Sequence, residues 1–347
     1  MQIIELLTPA YEAAWLPWAV QYFFLVDIAA TAALTVAGLA IAGRAGSAAW
    51  HLLPAGICVL AVSAIAAPVS LLADLHQPGR FWHFYAYPTP WSWMSIGAFL
   101  LPVFVMLALA FCLLWWMGKT GLMRAVGVLL AISAISILTY TGMEVMVVRA
   151  RPLWNTPFLP INFALTGWLS TIGAMILVSR WLPGGLRAMP ANLLRRLGLI
   201  AFTLLFIGAL AWIASGLLGF DPSFREAMRL FELFPVWKLS LWGSVLAGAA
   251  VFALLIRHAR FLSLPGYSLL VAFVMLASGW IFRWIIFMAV QGVPKYGAGL
   301  YVFQMPLGGD GLLGIIGVLG LCVALISAVT IVLDRFPGQG IQALAAR

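Results

Sequence analysis

The chain has 347 residues, of which 64% are hydrophobic and 8% are charged, and its formal net charge is +9 at pH 7. A soluble domain carries roughly 25% charged residues, so this composition excludes a soluble protein and indicates an integral membrane protein. The positive charge does not indicate a nucleic-acid partner, because the Lys and Arg residues are scattered at the ends of apolar runs, as orientation in a bilayer requires.

Apolar runs long enough to cross a bilayer, which takes roughly 20 residues, recur along the whole chain. We predict an all-α fold, a polytopic transmembrane helix bundle in a single integral membrane domain over residues 1–347. The predicted spans, about nine in number, are 15–42, 52–73, 92–118, 122–147, 160–182, 194–219, 235–257, 266–290 and 311–333. No basic n-region precedes the first run, so we expect it to be retained as a span.

The charges in the loops predict how the chain is oriented. With nine spans the termini lie on opposite faces. The loops that share a face with the C-terminus carry eleven basic residues and one acid, Asp334, whereas the opposite face carries eight basic residues and eight of the ten acids. Because cytoplasmic loops are enriched in Lys and Arg, we predict a periplasmic N-terminus and a cytoplasmic C-terminus.

The stretch 222–233 is too polar to be a span. Its apolar residues, which include Phe224, Met228 and Phe231, recur at roughly helical spacing with charges between them. This pattern predicts a short amphipathic helix in the outer interface.

The sequence does not indicate a metal site, a haem or an iron–sulfur cluster. Cys58, Cys112 and Cys322 each stand alone in an apolar run, without the paired spacing that such sites need. Axial ligation of haem requires His or Met inside the bundle, but all four histidines fall near span ends.

Ionisable residues inside predicted spans are the best indication of function. Each costs roughly 2.5–3.5 kcal/mol at the centre of a transmembrane helix, so it needs a partner or a role. Asp27 and Arg283 are candidates for a proton path, although a hydrogen bond to a neighbouring hydroxyl would also explain Asp27. The full set is Asp27, Asp74, Glu144, Lys238 and Arg283.

A polar and aromatic segment, residues 74–93, follows the second span and places Asp74 and His76 at the outer end of the bundle. Tyr140 and Glu144 are four residues apart, so they share one helix face at the same level. Hydroxyl, imidazole and carboxyl groups beside aromatic rings suit a quinone, whose carbonyls need donors and whose chemistry moves two protons. A loop-ordering salt-bridge cluster of Asp74, His76 and Arg80 is the alternative.

We therefore predict two overlapping sets of site residues. His76, Asp74, Tyr140 and Glu144 are the candidate catalytic groups. The candidate quinone-binding groups are Gln21, His76, Tyr140, Arg80 and Trp93.

Three stretches resemble the NrfD/PsrC family, the membrane subunits of polysulfide reductase-type respiratory enzymes. They are WLPWAVQYFF from Trp15, the segment ADLHQ to WSW from Ala73, and YTGMEV with RARPLW from residues 140–154. The stretches WIFRW at 280–284, QGVPK at 291–295 and PLGGDGL at 306–312 are similar to the tetrathionate reductase branch of that family.

The resemblance implies a multi-pass, haem-free quinol-binding anchor in the bacterial inner membrane. Such an anchor oxidises a quinol, here menaquinol, to the quinone. It passes the electrons to an iron–sulfur subunit and then to a molybdopterin catalytic subunit on the periplasmic face, which reduces a sulfur oxyanion. Family members bind the quinone head near the outer ends of the early helices, which maps onto Gln21, Asp74, His76 and Tyr140. Asp27 departs from the pattern, since the family typically has Gly there.

Within this hypothesis, His76 and Tyr140 or Gln21 hold the two quinol oxygens, and Asp74 or Glu144 takes up the protons. Arg80, Arg149 and Arg151 fix these acids or contact the iron–sulfur subunit. Two other functions stay open: a secondary ion or solute transporter that uses Asp27 and Arg283, and a structural anchor without its own quinone site. Transporters of that kind usually show interrupted helices in corresponding halves, and the sequence shows none.

Overall fold

The computed structural model describes residues 13–44, 46–75, 77–293 and 303–345, and helices are its only regular elements there. In chain order the first helices are α1 (Pro17–Ala42), α2 (Ala48–Asp74), α3 (His83–Ala86), α4 (Trp93–Trp116), α5 (Thr120–Met146), α6 (Phe158–Val178) and α7 (Gly185–Ala188). The others are α8 (Ala191–Leu217), α9 (Pro222–Leu233), α10 (Pro235–Leu255), α11 (Pro265–Trp284), α12 (Leu312–Arg335) and α13 (Gln339–Ala345).

Nine helices in the described part are long and apolar enough to cross a membrane. They are α1, α2, α4, α5, α6, α8, α10, α12 and α11 with its continuation to Ala289. We call the face at which α1 begins the entry face. Since successive spans alternate in direction, α4, α6, α10 and α12 also begin there, and α2, α5, α8 and α11 end there.

Some helix ends differ from the predicted ones because capping residues override hydropathy. α2 begins at Ala48 rather than near residue 52, since the Ser47 hydroxyl accepts a hydrogen bond from the backbone N–H of Trp50. α6 stops at Val178, short of residue 182, and the chain then turns through Gly184 and Gly185, which both have positive φ.

The amphipathic stretch 222–233 forms α9. Asp221 caps it, because its Oδ1 accepts from the Ser223 N–H at 2.7 Å, and the Thr156 hydroxyl donates to the other carboxylate oxygen. α9 is thereby tied to the start of α6 at the entry face. Its place in the membrane interface stays a prediction.

α1 and α2 form the centre of the bundle. In their most apolar windows 78% and 72% of residues are buried inside the protein, against 11% for α8 and 6% for α12. Small residues let the two helices approach: a Cβ on Gly56 would lie 2.4 Å from the Val36 side chain. The first span is thus almost fully shielded from lipid by the helices that follow it.

α11 ends in a π-helical turn over Ile285–Ala289. Such a turn leaves carbonyls without their usual partners, and here side chains supply them. Arg151 donates from Nη1 to the carbonyls of Val290 and Val293 at 2.8 and 2.9 Å, and Trp154 donates to the Ile286 carbonyl at 2.8 Å. Arg151 is only 9% exposed. Its guanidinium therefore supports the end of α11, and its predicted contact with an acid or a partner stays a prediction.

Gln291 joins the end of α11 to the segment before α1. Its amide accepts from the Trp15 N–H at 3.2 Å and donates to the Trp15 carbonyl at 2.8 Å. The Trp15 ring also stacks on Phe287, with 4.9 Å between ring centroids. These contacts hold the first and eighth spans together at the entry face.

Candidate functional site

Two tyrosine hydroxyls meet near the entry face. The hydroxyl of Tyr22 on α1 lies 3.4 Å from that of Tyr140 on α5, and both residues are buried. An O–H···O hydrogen bond is usually about 2.5–3.0 Å long, so this contact is weak. Each hydroxyl keeps the capacity for a further partner.

Gly97 on α4 makes room for the Tyr140 ring. A Cβ at this position would lie 2.1 Å from Tyr140 Cζ, far inside any tolerable contact. The absence of a side chain at Gly97 is therefore what lets the ring lie against α4. The position of the Tyr140 hydroxyl depends on three helices.

Glu144 lies one turn beyond Tyr140 on the same face of α5. Its atom Oε2 is buried and has no hydrogen-bond partner among the described residues. Such an orphaned carboxylate oxygen is costly unless a ligand or a water completes it. Asp74, the last residue of α2, lies within electrostatic range of Glu144. The structure therefore brings Tyr140, Glu144 and Asp74 together, as predicted from their depth, and adds Tyr22.

Gln21 faces a different neighbour. Its Oε1 accepts from the Trp280 indole N–H of α11 at 3.2 Å, and its Nε2 is buried without a partner in the described part of the chain. Consecutive residues of an α-helix point about 100° apart, so Gln21 and Tyr22 cannot both face α5. Depth along the span and the family resemblance indicated Gln21, and neither indicated Tyr22. The Tyr22 hydroxyl, one residue after Gln21 and at nearly the same depth, is the sequence feature that could have indicated the contact with Tyr140.

Two other predicted site residues are among the described residues, and a third is not. Arg80 is exposed on a 3₁₀ turn, and the alternative salt-bridge cluster stays a prediction. Trp93 is the half-buried first residue of α4 and packs against the core. His76 lies outside the described residues.

Asp27 and Arg283 form an ion pair at the centre of the bundle. Arg283 Nη2 lies 2.9 Å from Asp27 Oδ2, and both side chains are completely buried. The hydroxyl of Thr141 on α5 donates to Asp27 Oδ1 at 3.3 Å. On α6, Gly167 permits the close approach, since a Cβ there would lie 2.9 Å from Asp27 Cβ. The sequence predicted that each charge needs a partner, and the structure makes each the partner of the other.

Arg283 is further held by oxygen atoms around it. Its Nη1 donates to the Thr166 hydroxyl at 2.5 Å and to the Gly279 carbonyl at 3.1 Å, and its Nη2 donates to the Phe163 carbonyl at 2.8 Å. The guanidinium also lies over the Phe163 ring, 5.3 Å from the centroid. The pair therefore ties α1, α5, α6 and α11 together. A proton path through it stays a prediction.

Comparison with known proteins assigns the chain to a family. Residues 6–295 match the family model described as Polysulphide reductase, NrfD. The chain belongs to the NrfD family. It is also similar to a tetrathionate reductase subunit from Salmonella typhimurium, with 34% identity over 336 residues that cover 93% of each chain.

These matches confirm the family that the three sequence stretches indicated. With the nine apolar helices of the described residues, they also confirm the predicted all-α transmembrane bundle and a multi-pass location in the inner membrane. Which face the N-terminus occupies stays a prediction, because neither the helices nor the matches orient the bundle.

Proposed function

We propose that this NrfD-family chain is the quinol-binding membrane subunit of a respiratory enzyme that reduces a sulfur oxyanion such as tetrathionate. The similar Salmonella typhimurium protein is named as part of a tetrathionate reductase, which supports the class of acceptor. The observation that carries the quinol site is the meeting of the Tyr22 and Tyr140 hydroxyls beside the unpartnered oxygen of Glu144.

These groups fit a quinol as substrate. A quinol presents two hydroxyl groups that donate and accept hydrogen bonds. Glu144 Oε2 is a buried acceptor without a partner in the described part, so it suits a quinol O–H. The Tyr22 hydroxyl donates to that of Tyr140 and can still accept a hydrogen bond from a quinol O–H. His76, Arg80 and Trp93 remain proposed contacts, as does Gln21, whose Nε2 is an unused donor.

Oxidation of the quinol releases two protons and two electrons. We propose that the protons pass to Glu144 and Asp74, which lie together at the entry face, and leave on that side. Carboxylates partly removed from water are suited to general-base work of this kind. The buried Asp27–Arg283 pair lies one turn deeper, reached through Thr141, and is the proposed start of any path to the opposite face.

The electrons need an acceptor beyond this chain. We propose an iron–sulfur subunit docked on the entry face and, beyond it, a molybdopterin catalytic subunit, with the entry face in the periplasm. The relative's name as one subunit of a reductase supports a multi-subunit assembly. Menaquinol is the proposed donor.

The test uses the enzyme purified with its partner subunits. Reduction of tetrathionate is measured with a menaquinol analogue as donor and, separately, with a dye that reduces the partner subunits directly. The variant Tyr140→Phe should lower the quinol-dependent rate by at least tenfold and leave the dye-dependent rate unchanged. Tyr267→Phe, at the opposite face on α11, is the matched control.

Three outcomes would contradict the proposal. An unchanged quinol-dependent rate in Tyr140→Phe and Glu144→Gln would mean that the site lies elsewhere or that the chain is only an anchor. Loss of both rates would mean that Tyr140 serves assembly. Ion or solute flux through vesicles that hold the chain alone, with no quinol-dependent rate in the complex, would indicate a transporter.

A further inference from the structure

A cavity of about 580 Å³ lies between α6, α8, α10 and α11, away from the tyrosine pair. Its size falls within the roughly 300–1,000 Å³ of small-molecule sites. The bundle is left unfilled here because α10 presents a row of small residues, Gly243, Ser244, Ala247 and Gly248, to it.

The serine hydroxyls in the deep walls of this cavity need no hydrogen bond from a ligand. The hydroxyls of Ser240 and Ser244 each donate to a carbonyl one turn earlier in α10, both at 2.9 Å. Ser278 on α11 does the same at 2.6 Å. Because these hydroxyls are already satisfied within their own helices, an occupant of this part is best stabilised by apolar contacts.

The end of the cavity at the entry face is different. Asn162, the fifth residue of α6, lines it, and its side-chain amide makes no hydrogen bond in the described part of the structure. Lys238, the fourth residue of α10, is exposed and does not itself line the cavity: its Nζ is 5.8 Å from the ring centroid of Phe231, which does line it.

Lys238 lacks a protein counter-charge. Among the described residues no carboxylate pairs with it, and it stands in the first turn of α10, where the helix dipole disfavours a cation. An external anion beside Lys238 would supply the missing counter-charge and offset the unfavourable interaction with the helix dipole. Lys238 is also the one ionisable residue singled out in the sequence that the quinol site and the central ion pair leave unused.

We propose that this cavity binds one phospholipid molecule. One acyl chain lies between α6, α8, α10 and α11, the ester group lies at the Asn162 amide, and the phosphate lies at Lys238. The cation at the entrance selects a phospholipid over the isoprenoid tail of a quinone, since a quinone has no anionic group. This site is independent of the proposed quinol oxidation.

The occupant also contacts the surroundings of the central ion pair. Thr166, whose hydroxyl accepts from Arg283, and Gly279, whose carbonyl does the same, both line the cavity. A chain in the cavity therefore packs against the groups that hold the guanidinium. We expect the bound lipid to stabilise the fold as well as fill space.

The test is native mass spectrometry of the purified complex after exchange into detergent and titration with phosphatidylglycerol. The wild-type protein should retain one phospholipid at high affinity. Ala247→Phe should fill the cavity and abolish that binding, whereas Ala249→Phe, at an exposed position of α10 that does not line the cavity, should keep it. Lys238→Gln should weaken binding roughly fivefold, the contribution of one lysine to binding an anionic lipid.

Equal retention by wild type and Ala247→Phe would overturn the proposal, as would extraction of quinone instead of phospholipid from the cavity. If Ala247→Phe does not fold, Lys238→Gln decides: an unchanged affinity for phosphatidylglycerol would exclude the phosphate contact. Addition of phosphatidylglycerol should also raise the thermal unfolding temperature of wild type and of Ala249→Phe, and an absent shift in both would contradict the site.

Discussion

The guanidinium of Arg283 donates to the carboxylate of Asp27 at 2.9 Å, in a place that neither solvent nor lipid reaches. The two residues are 256 positions apart in sequence. Their pairing joins the first span to the eighth. Each charge would be costly inside the membrane without the other.

Removal of one member of this pair should destabilise the protein strongly. We expect Asp27→Ala to lower the free energy of unfolding by about 3–5 kcal/mol, because the Arg283 charge is left buried without its counter-ion. The double variant Asp27→Leu with Arg283→Met should recover most of that loss. Denaturant unfolding in detergent micelles measures both, with the lipid-exposed Ile132→Ala as control. Equal stability of the single and double variants would show that an unpaired Arg283 charge is not what destabilises Asp27→Ala.

Gly97 should be necessary for quinol oxidation although it carries no side chain. We expect Gly97→Ala to displace the Tyr140 ring, since the new Cβ would overlap it, and to lower the quinol-dependent rate at least tenfold. The dye-dependent rate should be unchanged. Gly121→Ala, where a Cβ meets nothing within 4 Å, is the matched control. A normal quinol-dependent rate in Gly97→Ala would separate the Tyr140 position from the reaction.

Trp280 should hold the amide of Gln21. The indole N–H can only donate, so it identifies the atom it meets as the amide oxygen and directs Nε2 away from α11. We expect Trp280→Phe to cost about 1–3 kcal/mol, because a buried acceptor then loses its donor. Adding Gln21→Leu should restore much of that stability. A double-mutant cycle by thermal unfolding checks this, and an interaction energy near zero would mean that the two side chains are independent.

Arg151 should hold the end of α11 in place. We expect Arg151→Ala to speed hydrogen exchange at residues 285–293, since the carbonyls of Val290 and Val293 lose their donor. Arg149→Ala removes an exposed arginine two residues away and should have no such effect. Hydrogen-exchange mass spectrometry distinguishes them. Faster exchange in both variants would show that the loop as a whole, and not the Arg151 guanidinium, holds the end of α11 in place.

The number and approximate place of the spans follow from hydropathy because the bilayer sets both the length and the apolar character of a crossing helix. Depth along each span is predictable for the same reason, and Asp74 lies within electrostatic range of Glu144, one turn from Tyr140. The direction in which a side chain points around its helix is not, since α1 is apolar on every side. The sequence therefore does not indicate that the Tyr22 hydroxyl faces that of Tyr140. The pairing of Asp27 with Arg283 likewise depends on which helices are neighbours, and loop lengths do not reveal it.

The burial of α1 bears on how the chain is made. Ribosomes deliver the spans in order, so α1 enters the membrane with Asp27 facing lipid or a passing neighbour, and its cation arrives only with α11, the eighth span. Until then Asp27 lacks its counter-ion, although α2, α5 and α6, which pack on the first helix, are already present. A chain interrupted before α11 would display an unmatched acid in the membrane. The ion pair that closes the centre of the bundle therefore forms only after the eighth span is in place.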